Sequence, residues 1–86
     1  MNMTKTPKTP QYSPPTLIIF YDAEIGKEPL LEAIKKYEAQ VIYDLKMMNS
    51  ITIKIPEGSK IEDAIQYFNN IKGVLQVNRD SIMQLD

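Results

Sequence analysis

Residues able to do chemistry are few in this chain, and two common ones are missing. It contains no histidine and no cysteine. Without His, the commonest general base near neutral pH is gone. Without Cys, so are the thiolate nucleophile, the disulfide and the cysteine metal site. Carboxylates remain. Asp22 with Glu24, and Glu62 with Asp63, are the close acidic pairs. The second pair is adjacent on a predicted helix, so its side chains diverge and form no dyad. Asp22 and Glu24 flank a loop and could face a hard cation, but further ligands are not evident and no metal is expected. Gly26 and Gly58 stand singly, outside any phosphate-cradling glycine motif. The inventory favours binding over catalysis. The chain is expected to be no enzyme and to carry no cofactor.

The elements that would position a binding surface are clearly signalled. Residues 51–55 alternate, with Ile51, Ile53 and Ile55 separated by Thr52 and Lys54, the period of a half-buried strand. Pro56-Glu57-Gly58 ends it. Ser59 and Glu62 have capping-box spacing, and Ile61, Ala64, Ile65, Phe68 and Ile71 then fall on one helical stripe. Gly73 suits a left-handed helix end, and Val74-Leu75-Gln76-Val77 opens another strand. Earlier in the chain, residues 16–21 (TLIIFY) read as a strand apolar on both faces, hence central. Pro29 fits a first helical turn, followed by an apolar stripe of Leu30, Leu31, Ile34 and Tyr37. Residues 41–48 alternate, with Val41, Tyr43, Leu45 and Met47 on one face and Ile42, Asp44, Lys46 and Met48 on the other. Asn49-Ser50 turns them into a hairpin with the following strand.

The order is β-α-β-β-α-β. It predicts an α+β, ferredoxin-like fold: a four-stranded antiparallel sheet with two helices on one face, and the first and third strands in the middle. Residues 1–15 hold four of the six prolines and read as a flexible Pro/Thr-rich arm. Residues 16–86 would be the single folded domain. The 43% hydrophobic content suits a globular fold, and the net charge of −1, evenly mixed, argues against nucleic acid as a partner. No apolar run approaches the roughly 18 residues of a membrane span, so no membrane partner is expected. No signal-peptide core is present, which leaves a cytoplasmic protein and a processed, secreted fragment both open.

Helices on one side leave the other sheet face open. Asp44, Lys46, Met48, Thr52, Lys54 and Gln76 are expected there, with either Ile18 and Phe20 or their alternates. That is a mixed surface with an apolar fringe, suited to docking on a protein. An RNA-binding domain of this fold would carry aromatics on its central strands, and residues 51–55 have none. Acylphosphatases share the fold but need an arginine in the loop after the first strand, and DAEIGK has none.

The run Asn49-Ser50-Ile51-Thr52-Ile53-Lys54-Ile55, the helical stripe to Ile71, and Gly73-Val74-Leu75-Gln76-Val77-Asn78-Arg79-Asp80 together resemble the propeptides of subtilisin-like serine proteases and the related peptidase inhibitor family. The resemblance covers about residues 16–86 and rests on hydrophobic pattern and a few turn residues. The Pro/Thr arm lies outside it. It implies an inhibitor, a folding chaperone, or both, for a subtilisin-like serine protease. The open sheet face would pack on the enzyme, and Ile82, Met83, Gln84, Leu85 and Asp86 would lie in the active-site cleft as a product-like peptide. The affinity would come from backbone pairing, with alternate side chains filling pockets. The free chain is expected to be a monomer. One departure is the acidic Asp86, where such pockets usually take a large apolar residue. Either Leu85 fills the pocket or the chain has been cut at Asp86. A different class shares the same element order: a small-ligand-binding regulatory domain of the ACT type, with its ligand near the loop after the first strand, faintly echoed by Asp22 and Gly26.

Overall fold

The computed structural model describes residues 15–79. The elements are β1 (Thr16–Tyr21), α1 (Glu28–Tyr37), β2 (Gln40–Leu45), a 3-10 turn (Lys46–Met48), β3 (Ser50–Lys54), α2 (Ile61–Asn69) and β4 (Val74–Arg79). The strands form one sheet in the order β2-β3-β1-β4, and every neighbouring pair is antiparallel. This is the expected ferredoxin-like α+β fold, with β1 and β3 central.

One core holds the layers together. Leu17, Ile19 and Tyr21 of β1 and Ile51 and Ile53 of β3, continued by Ile55, bury one face of the sheet. Against it lie Leu30, Ala33 and Ile34 of α1 and Ala64 and Phe68 of α2. In β1 the burial alternates residue by residue, with Thr16, Ile18 and Phe20 half-buried on the opposite face. Tyr37, Tyr67 and Phe68 join the helices, with ring centroids 4.8 to 5.2 Å apart, within the range of favourable aromatic packing.

Helix boundaries follow local chemistry. Pro29 sits in the first turn of α1, where its missing N–H costs nothing. The helix stops at Glu38, whose left-handed backbone (φ 65°) lets the amides of Glu38 and Ala39 donate to the Lys35 and Ile34 carbonyls. In α2 the expected Ser59–Glu62 capping box does not form. The Ser59 amide donates to the Pro56 carbonyl and closes the preceding turn, so the cap position falls on Lys60, without a side-chain cap. Glu62 and Asp63 still fill the first turn, where their charge opposes the helix dipole. Gly73 (φ 86°) lies beyond the end of α2. An added Cβ there would stand 2.8 Å from a methyl of Ile25, so this residue allows the α2–β4 turn to close on the β1–α1 loop. The Asp22 amide donates to the Gly73 carbonyl across that junction, at 2.7 Å.

Candidate functional site: the open sheet face

Strand register assigns the residues of the uncovered face. Facing residues of an antiparallel pair point to the same side. One row across the sheet is therefore Tyr43, Thr52, Ile18 and Asn78, and the next is Leu45, Ser50, Phe20 and Gln76. Gln40, Lys54 and Thr16 form a third. The two small residues of β3 lie lowest. Ser50 is 1% exposed and Thr52 5%; Ser50 lies between Phe20 and Leu45, and Thr52 between Ile18 and Tyr43. The face is a shallow trough with a hydroxyl-bearing floor, Ile18 and Phe20 along one side and Tyr43 and Leu45 along the other. On β4 the Gln76 side-chain Nε2 donates to the Asn78 side-chain Oδ1 at 3.1 Å. Lys54 is the one charged side chain in these three rows.

This differs from the expected surface in one strand. Thr52, Lys54 and Gln76 occupy the face, and the choice in β1 falls on Ile18 and Phe20. Asp44 does not join them. A bulge at Ile42 puts Val41 opposite Ile53, Tyr43 opposite Thr52 and Asp44 opposite Ile51. The extra residue inverts the alternation from that point on. Asp44 therefore lies on the helix side, where its carboxylate accepts a hydrogen bond from the Lys27 ammonium at the start of α1. Lys46 and Met48 leave the strand altogether and form the 3-10 turn with Met47. The face is consequently more apolar and less charged than the alternation predicts. Tyr43, Leu45, Ser50 and Asn78 were missed. The period of two through Thr52 and Lys54 already points to Ser50, and Gln76 to Asn78. Tyr43 and Leu45 require knowledge of the bulge.

The loop after β1 is occupied with its own structure. The Asp22 carboxylate accepts from the Glu24 amide at 2.8 Å, and the Asp22 carbonyl accepts from the Gly26 amide at 2.9 Å. No group of three or more potential metal ligands occurs among the described residues. Among them, too, no helix is long and apolar enough to cross a membrane. Ile82, Met83, Gln84, Leu85 and Asp86 lie outside the described residues, as do residues 1–14.

Among the described residues the geometry defines a small α+β sandwich with one helix-covered face and one open, nearly uncharged face. The model of one family, the fervidolysin N-terminal prodomain, matches residues 1–78. The chain belongs to this family, one of subtilisin-like protease propeptides. The match takes in the Pro/Thr-rich segment, which the sequence resemblance left out, and stops before residues 79–86. No similar curated protein and no similar solved structure was found.

Proposed function

We propose that this chain is an inhibitor, a folding chaperone, or both, of a subtilisin-like serine protease, and performs no catalysis itself. The observation that carries the reading is the prodomain match over residues 1–78. The open face supports it. Ile18, Phe20, Tyr43 and Leu45 present apolar area with few charges to desolvate, which suits the core of a protein interface. In this reading residues 16–86 form the inhibitor domain, preceded by residues 1–15 as an arm. The trough packs on the enzyme, and Ile82 to Asp86 enter the cleft as the product-like segment.

The test is inhibition of a purified subtilisin by the full chain and by a chain lacking residues 82–86. The full chain should inhibit. The shortened one should lose at least about a hundredfold in affinity, near 3 kcal/mol, while keeping its far-UV circular dichroism. An inhibition constant untouched by the deletion rejects the role of the tail. Absence of inhibition by the full chain across a panel of subtilisin-like proteases, with no gain in refolding yield of those enzymes, rejects the reading.

A further inference from the structure

We propose that Met47 is an oxidation site, at which a peroxide converts the apolar end of the β2–β3 hairpin into a polar one. Met47 is 99% exposed, in the middle of the 3-10 turn. Its neighbour Met48 is 60% exposed, so part of that side chain is shielded by the protein. The turn is not a loose loop. The Asn49 amide donates to the Lys46 carbonyl, and the Asn49 carbonyl accepts from the Tyr21 amide at 2.9 Å, which ties the turn to β1. Asn49 itself closes it in a left-handed conformation, φ 52°. The thioether is thus held outward on an ordered element. Leu45, Met47 and Met48, with Asp44 and Lys46, line an open, mainly apolar hollow of about 510 Å³.

The chemistry balances without any group from the protein. The thioether sulfur of Met47 attacks one oxygen of hydrogen peroxide. The S–O bond forms as the O–O bond breaks, and the proton of the transferred oxygen passes to the departing hydroxide to give water. Sulfur loses two electrons and the peroxide gains them. Methionine becomes its sulfoxide, which is polar and hydrates strongly. Accessibility of the sulfur governs the rate, so Met47 reacts before Met48. The product places a strong hydrogen-bond acceptor where a soft apolar group stood. Leu45 belongs both to this hollow and to the trough wall, so the change abuts the docking face. The effect on protease binding rests on the inhibitor reading. The site and its effect on surface polarity do not.

The experiment exposes the full chain to dilute hydrogen peroxide and follows each methionine by peptide mass mapping. Retention on a phenyl column and inhibition of subtilisin are measured at the same times. Met47 sulfoxide should form about 1.5-fold faster than Met48 sulfoxide or more, following exposure. Column retention should fall with Met47 conversion, and the inhibition constant should rise several-fold. In Met47→Leu the peroxide-induced fall in retention should be smaller than in the parent chain, and in a Met83→Leu background, which removes the thioether of the tail, so should the peroxide-induced rise in the inhibition constant. This comparison separates Met47 from the other four methionines. Equal rates at Met47 and Met48 overturn the proposal, as does an equal peroxide-induced loss of retention in Met47→Leu and the parent chain. If the untreated chain inhibits nothing, the inhibitor reading falls, and mapping with retention still decides Met47.

Discussion

At the scale of single residues, the Lys27–Asp44 pair links two elements that share no backbone hydrogen bond. The hydrogen bond to Asp44, reinforced by that carboxylate's charge, raises the Lys27 pKa above its ordinary value of 10.5. A lysine whose folded pKa is raised stabilises the fold fully below its unfolded value. That contribution disappears as pH climbs through the folded value. The pair therefore supports the fold at neutral pH and stops doing so in alkali above 10.5. Lys27→Met keeps the apolar stem and removes the charge. The melting temperature of the parent should exceed that of the variant by a constant margin through neutral pH, and the margin should close beyond 10.5. A margin that persists in strong alkali would assign the difference to packing of the stem. Both side chains are partly exposed, so the effect is small and salt should reduce it.

At the scale of elements, turns that need a left-handed residue carry different loads. Gly58 and Gly73 have nearly the same φ, 88° and 86°. Nothing lies within 4 Å of a Cβ built at Gly58, whereas one at Gly73 meets Ile25. Gly58→Ala should cost only the left-handed strain, about 1 kcal/mol. Gly73→Ala should cost that and about 1–2 kcal/mol more, for overpacking. Ile25→Ala in the same chain should recover much of the added loss. Urea denaturation of the four proteins measures it, and equal losses at the two glycines would refute the close approach. Element type and order were legible in the residues because hydrophobic period and turn chemistry agree there. Residues 16–21 read as a central strand and are β1, while the stripe from Ile61 to Phe68 reads as a helix and is α2. Two details were not legible. The Ser59 amide had a competing partner in Pro56, and sequence spacing cannot tell which bond wins. The bulge at Ile42 has no glycine or proline to mark it, and counting by twos assumes that every residue has a partner.

At the scale of the whole molecule, the two sides of the sheet differ in what they leave exposed. The helix side holds the core, and the other side carries apolar groups with large exposed area. Tyr43 and Leu45 are 60% and 42% exposed. Replacing both by arginine should shift stability by only about 1 kcal/mol, at about 0.5 kcal/mol for each surface change. The same change should weaken inhibition of subtilisin by about tenfold or more, because two charges would be desolvated on docking. Glu32→Arg on the exposed side of α1 is the control and should leave inhibition unaltered. Equal effects from the control and the face variant would place docking elsewhere. Residues 82–86, proposed to enter the cleft, follow the family match, which covers residues 1–78.

The sheet order also governs how the domain responds to load. β4 has one neighbour, β1, and Leu17 near the start of β1 faces Arg79 at the end of β4. A pull that separates those two chain ends acts along the hydrogen bonds, which lie perpendicular to antiparallel strands. The bonds then break one after another from Arg79 inward, as a zipper opens, instead of shearing all at once. The edge position of β4 thus gives the domain little resistance to a pull that separates the start of β1 from the end of β4.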